Sequence, residues 1–410
     1  MKGIAQKLHI IRGEHIIDLE ASIDVDSFSF KHVIPLKYGQ QVPIFFDVDG
    51  DFISYKIMED RGDYNKVIIF NMPPLKKGKR LNLKFNYWVL VRKINYKTIP
   101  KKVKITPQDQ LPKTLKKWLV PTQSVQSKNI FIKIASRIIQ GFSKDLLLFS
   151  KKIIFWCPYQ NLLVNFLKRF MARYPITRKI FYSDNFWIPL EDALSCLFFG
   201  STCAGRANLV VALLRAGGIP ARILIVTPTL YGEKYWLDAQ HYVEEFYCSD
   251  FGWIRTQPGM LLDLGKNHVV LKIVNPEDED AAGNGFSEYG GMAPWFWITN
   301  KNVKFKLPDK FDSYNVKEEE KVGFPIIRGW KECIIKVPDE LAEKTFEISR
   351  GTWDLFTKHA GIYKDDKHNI FNKAHSIQKQ AVDYLVKSQI EKYINKMQEA
   401  RDEYLKISKF

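Results

Sequence analysis

The sequence predicts an α+β protein in three parts: an N-terminal β-sandwich, a central segment with a helix packed on an antiparallel sheet, and a mainly helical C-terminal region. Three observations carry that prediction. Short alternating apolar runs between turn-rich stretches fill residues 1–105. Helical periodicity takes over near Thr106 and yields to strand-like patterns between 219 and 260. The chain has no proline after Pro338 and no glycine after Gly361, and its apolar spacing there is that of a helix. The boundaries expected are 1–105, 106–300 and 301–410.

Within 1–105 the strand candidates are Val42-Pro-Ile-Phe-Phe46, Phe52-Ile-Ser-Tyr-Lys-Ile57, Val67-Ile-Ile-Phe70 and the long run from Leu81 to Val91. Their spacing of roughly ten residues is that of a sandwich. Asp47-Val-Asp-Gly-Asp51 has the look of a calcium loop, but Gly50 comes two places early and Met58 stands where a bidentate Glu belongs. It reads as a hairpin turn, and Arg61-Gly-Asp63 reads as another turn. Ile130, Ile134 and Ile138 mark a helix over 129–140, and 145–173 continues in the same style. Residues 236–247 alternate as one strand. An acidic, glycine-rich loop occupies 276–293; as a lid or as a connector it reads equally well. Ala381, Tyr384, Leu385, Ile390, Tyr393, Ile394 and Met397 fit one long amphipathic helix paired with another element.

Of the 410 residues 46% are hydrophobic and 26% charged, a globular balance. The net charge of +17 is concentrated: residues 76–179 hold about 25 Lys/Arg against Asp109 and Asp145, so the rest of the chain is net acidic. Such a basic region can attract nucleic acid, acidic polymers or an anionic membrane surface, or simply be a solvated face. The five cysteines (Cys157, Cys196, Cys203, Cys248, Cys333) are odd in number and too scattered for a disulfide framework. No zinc-finger spacing, phosphate loop or dinucleotide fingerprint is present, so neither a metal nor a cofactor is expected. The first residues lack a signal-peptide pattern and no run of 18 apolar residues occurs. The expectation is a cytoplasmic protein with reduced thiols and no transmembrane segment; its oligomeric state is left open.

The chemistry is concentrated in Gly200-Ser-Thr-Cys-Ala-Gly-Arg-Ala-Asn-Leu-Val-Val-Ala-Leu-Leu-Arg-Ala-Gly-Gly-Ile-Pro-Ala-Arg222. Ser201 or Thr202 can cap a helix whose first turn contains Cys203, and Ala207, Val210, Val211 and Leu214 form its buried stripe. The positive end of the helix dipole lowers a thiol pKa, and the small Ala204 and Gly205 leave room for a substrate backbone. His241 on the following strand is a base that could share a proton with Cys203. Gly252-Trp-Ile-Arg-Thr-Gln-Pro258 reads as the partner strand, with Ser249-Asp-Phe-Gly252 as the turn before it.

This order of a Gly-x-x-Cys helix, Leu-Leu-Arg-Ala-Gly-Gly-Ile-Pro-Ala-Arg, a His strand, then Gly-Trp and a Pro resembles the transglutaminase-like superfamily. The strict resemblance covers about 75 residues, and a looser one runs from Leu119–Ser127 through Trp187-Ile-Pro-Leu-Glu-Asp192 to Pro294-Trp-Phe-Trp-Ile298. It implies a papain-like core with Cys203 as nucleophile, His241 as base and a third orienting residue. The family places Asp four residues after the tryptophan; here Gln257 follows Trp253 at that spacing. Gln257 can orient His241 through its amide oxygen but supplies no charge. Asp250 reads as a turn residue. Arg206, Trp187 and Trp236 are candidate cleft residues, with Trp187 a candidate second oxyanion donor. The other histidines and cysteines read as structural. The resemblance implies acyl-thioester chemistry on a peptide, isopeptide or glutamine amide of a protein or peptide substrate, with hydrolysis favoured because no acceptor site is visible. The alternative is a catalytically weak scaffold that binds a polyanion such as nucleic acid through 76–179.

Overall fold

Strand β1 (Ala5–Ala21) is the spine of the first sheet in the computed structural model. The structure describes residues 5–60, 65–92, 99, 101–171, 192–200, 203–228, 232–237, 241–249, 251–256, 268–279, 296–298, 302–306, 326–361 and 366–409. Five more strands follow in the N-terminal quarter: β2 (Phe28–Val33), β3 (Gln41–Gly50), β4 (Ser54–Glu59), β5 (Lys66–Met72) and β6 (Arg80–Arg92). Later strands complete two sheets with them: β8 (Gly232–Leu237), β12 (Phe296–Ile298), β13 (Val303–Lys306) and β14 (Ile326–Pro338). The first sheet runs β3-β6-β1-β14-β8, with β13 also beside β1; the second runs β12-β2-β5-β4. Aromatic rings join them. Phe70 of the second sheet stacks on Phe85 of the first at 5.5 Å, and His32 meets Phe85 edge-on at 5.0 Å.

The segment 47–51 is not a hairpin turn, because β3 and β4 lie in different sheets. The chain crosses between them at Gly50, whose φ of 125° only glycine adopts readily. A Cβ there would lie 2.1 Å from the Asn82 carbonyl oxygen. The aspartates serve the backbone: Asp47 accepts from the Val48 N–H, Asp49 from Gly50 and Asp51 from Asn82.

The helices are α1 (Lys113–Lys116), α2 (Ile130–Gln140), α3 (Leu146–Met171), α4 (Ala193–Phe199) and α5 (Cys203–Ala216). Asn129 caps α2 by accepting from the Phe131 N–H at 2.9 Å. A third sheet consists of β7 (Ala221–Pro228), β9 (His241–Cys248), β10 (Gly252–Arg255) and β11 (His268–Val274), in the order β10-β9-β7-β11 with every pairing antiparallel. Helix α5 packs across β9 and β7 and is buried on nearly every side from Ala204 to Arg215, Arg206 excepted. It is more than an amphipathic stripe: it is the central helix of the core. Residues 236–247 are likewise not one strand, since β8 pairs with β14 in the first sheet and β9 belongs to the third.

One helical turn, α6 (Pro276–Glu279), follows β11, and α7 (Asp339–His359), α8 (Asp366–Val386) and α9 (Ile390–Ile407) close the chain. These last helices pack Phe346, Val382, Leu385, Tyr393 and Met397 on Leu8, Ile10, Val42 and Leu90 of the first sheet. The single long helix expected over 381–397 is two helices. The Gln389 N–H reaches the Tyr384 carbonyl and the Ser388 N–H the Leu385 carbonyl, each at 2.9 Å, with Ser388 at φ 59°. That is a Schellman ending built on serine where glycine is usual.

Candidate active site

The approach to Cys203 is built by α4. Asp192 caps that helix, its Oδ1 accepting from the Ser195 N–H at 2.9 Å and its Oδ2 from the Ser195 hydroxyl at 2.6 Å. Gln126 donates to Asp192 Oδ1 and accepts from the Leu194 N–H, both at 2.9 Å, and the Ala193 N–H reaches the Ser124 carbonyl. The 119–127 stretch thus anchors the helix that leads to the nucleophile position. Gly200, at φ 68°, ends α4, and Cys203 opens α5, half-buried and outside any disulfide. At that position it stands at the positive end of the helix dipole.

The other end of α5 sets the geometry. The Gly218 N–H bonds the Arg215 carbonyl and the Ile219 N–H the Leu214 carbonyl, both at 3.0 Å, with Gly218 at φ 81°. This Schellman motif reverses the chain within residues 217–220, so β7 runs back along the helix it follows. The 14 residues of α5 rise about 20 Å, and the six from Ala221 to Val226 extend nearly as far. The Cys203 end of the helix therefore lies over the Val226 end of β7. Val226 is paired with His241, the first residue of β9. Cys203 and His241 thus occupy the same end of the helix–sheet unit. His241 is half-buried at the rim where its strand begins, and by the strand's alternation it shares the side of Val243 and Glu245, away from α5, so it shares an end of the unit with Cys203 rather than a face.

Consecutive glutamates send one carboxylate to each sheet face. Glu244 shares the α5 side with Tyr242 and Phe246, accepts from Thr256 Oγ1 at 3.0 Å, and is buried. Burial raises its pKa above the usual carboxylate value, opposed by the Arg206 guanidinium and by the Thr256 hydrogen bond. Arg206 stands one turn after Cys203, and its charge acts on Glu244 from the same helix. Glu245, on the far face, accepts from Arg222 at 3.0 Å and from the Tyr38 hydroxyl at 2.7 Å. The Arg222 guanidinium lies 3.7 Å from the Trp253 ring centre. Glu244 and Glu245 went unnoticed in the sequence; the available signal was two adjacent acids inside an otherwise apolar strand.

Gln257, Trp187, Asp250, Ser201 and Thr202 lie outside the described residues. Thr256, just before Gln257, is held by its N–H to the Glu244 carbonyl at 2.8 Å. Trp236 is on β8, a strand of the first sheet. Cys157, Cys196 and Cys248 are buried, and burial pushes the Cys157 thiol well above its ordinary pKa. The 276–293 segment begins as buried structure: Glu279 of α6 forms a two-point ion pair with Arg215 at 2.6 and 2.9 Å, and Asp278 meets Lys272 at 2.8 Å. Residues 280–293 are outside the described set. Among the described residues no group of three or more His, Cys, Asp or Glu could hold a metal ion.

Residues 176–258 match the transglutaminase-like superfamily model. This segment is transglutaminase-like. It spans Cys203, His241 and Gln257, and with them α5, β7, β9 and β10. Two solved structures are similar to the chain. A candidate cysteine protease from Cytophaga hutchinsonii matches at 13% identity and TM-score 0.45, over 79% of this chain and 98% of its own. A candidate protease from Parabacteroides distasonis ATCC 8503 matches at 13% identity and TM-score 0.22, over 64% of this chain and 45% of its own. No curated protein matches.

Proposed function

We propose that the chain is a transglutaminase-like cysteine enzyme that cleaves amide bonds of a protein or peptide through an acyl-thioester. What supports this reading is the match of residues 176–258 to the transglutaminase-like superfamily, within which Cys203 opens α5 and His241 opens β9. His241 takes the thiol proton, and the Cys203 thiolate attacks the carbonyl carbon of a peptide, isopeptide or glutamine amide. The tetrahedral intermediate expels the amine, which leaves with the proton held by His241. Water, deprotonated by the same imidazole, attacks the thioester carbonyl, and the thiolate departs with that proton to restore the thiol. Gln257 orients the imidazole through its amide oxygen. Hydrolysis is the favoured outcome because water needs no binding site, whereas transfer requires a bound amine.

In this reading residues 106–300 carry the chemistry. The strands of 1–105 and the mainly helical 301–410 region, joined where β14 pairs with β1, supply recognition and assembly surfaces. The test is the pH dependence of alkylation at each cysteine in the wild type and in His241→Ala. Cys203 is expected to react well below the free-thiol pKa of about 8.5 and to lose that advantage without His241. A Cys203 that titrates as an ordinary thiol in both proteins rejects the enzyme reading and favours a polyanion-binding scaffold.

A further inference from the structure

The apolar periodicity of α2 and of the second half of α3 faces outward. On α2, Ile132 and Ser136 are buried while Ile134 and Ile138 are exposed, Ile138 by 75%. On α3, Phe149, Ile153 and Cys157 enter the core. Farther along the helix, Tyr159, Leu162, Leu163, Phe166 and Leu167 form an i, i+3, i+4, i+7, i+8 stripe that is exposed, Phe166 by 65%. Phe142, at the turn between the two helices, is fully exposed. A soluble surface does not gather so many large apolar side chains on one face without an occupant.

Charge identifies the occupant. Lys151 and Lys152 are exposed about two turns before the stripe; at 100° per residue Lys152 falls within its arc and Lys151 at its edge, with the Lys151 ammonium 5.9 Å from the Phe155 ring centre. Arg137 and Lys144 are exposed beside Ile138 and Phe142. The one carboxylate of this stretch, Asp145, accepts from the Leu148 N–H as a helix cap. Apolar side chains interleaved with cations, and almost no acids, match a surface that is negative at its face and hydrocarbon just beneath. Nucleic acid would satisfy the lysines and leave the leucines in water. Among the described residues no single helix is long and apolar enough to cross a membrane, so such a helix would lie along the surface.

We propose that the α2–α3 face docks the protein on an anionic lipid bilayer, with the 159–167 stripe and Phe142 entering the acyl boundary and Lys144, Lys151 and Lys152 on the headgroups. The face adjoins the approach to the candidate active site: Phe131 of α2 meets Phe198 of α4 edge-on at 5.3 Å, and α4 ends shortly before Cys203. Docking would thus hold Cys203 close to the lipid surface.

Flotation of the full chain with vesicles of phosphatidylcholine alone, or of phosphatidylcholine mixed with phosphatidylserine, tests this directly. The chain floats with the phosphatidylserine vesicles, binds phosphatidylcholine far more weakly, and is released by salt. Leu163→Ser/Phe166→Ser weakens binding about tenfold or more. Lys151→Gln/Lys152→Gln weakens it about fivefold per charge. All four positions are exposed, and unchanged urea unfolding of the variants verifies that the fold is kept. Absence from the floating fraction with both vesicle types overturns the proposal and assigns the face to residues 172–191, a second copy or a protein partner. Binding that survives Leu163→Ser/Phe166→Ser overturns it equally.

Discussion

Arg215 and Glu279 are both inaccessible to solvent, and the structure satisfies them as a unit. Arg215 also donates to the Ala221 carbonyl at 3.0 Å and the Val120 carbonyl at 2.9 Å, while Thr122 donates to Glu279 at 3.0 Å. The pair ties α5 to β7, to the 119–127 stretch and to α6, around the turn that leads from α5 into β7. A buried pair stabilises little over a well-packed apolar replacement, but removing one partner strands a charge in the interior. Glu279→Ala is therefore expected to cost about 3–5 kcal/mol in urea unfolding. Arg215→Met/Glu279→Leu should recover most of that loss. A single variant as stable as the wild type would mean that water already solvates Arg215. The sequence concealed this pair because Pro-Glu-Asp-Glu279 has the composition of an exposed acidic loop. Only the arrival of an Arg from 64 residues away makes one of its acids a core residue.

At the scale of elements, the legible parts were those written in local periodicity. The strands of 41–92, helices α2, α3 and α5, and the order of the cysteine helix before the histidine strand all follow from patterns a few residues long, whereas β1 and β2 had no such candidate. That Cys203 stands at a helix start and His241 on a strand was legible for the same reason. What escaped was set by long-range pairing or by an unusual cap. The partners of β1 include β13 and β14, some 300 residues away, and no local pattern reports that. The break between α8 and α9 escaped because it uses Ser388 in the left-handed region instead of glycine. A side chain in that conformation costs roughly 1 kcal/mol. Ser388→Gly is thus expected to stabilise the protein by about 0.5–1 kcal/mol, less the greater freedom glycine has when unfolded. Thermal unfolding of the variant checks it; a lower midpoint would show that the Ser388 side chain contributes more than its backbone costs.

For the molecule as a whole, acid should act first on the contact between the two N-terminal sheets. His32 is buried there beside Phe30 and Phe85, with Nδ1 at 2.5 Å from the Val33 carbonyl. Burial lowers its pKa from 6.5 to about 4. Between those values the unfolded chain binds a proton that the folded chain refuses, so stability rises with pH across the window and is lost as pH falls through it. A shift of that size corresponds to about 3 kcal/mol, fully lost near pH 4. Glu244 works in the opposite sense. Its raised pKa means that the folded state holds a proton the unfolded state has released, so its contribution declines as pH climbs from 4.5 towards the raised value. The two windows overlap, and a wild-type curve alone reports only their sum. Urea unfolding of wild type and His32→Phe across pH 4 to 6.5 separates them: the variant should lack about 3 kcal/mol of the wild-type acid loss. Parallel curves would mean that His32 is protonated within the fold, and with it that water reaches the interface between the sheets.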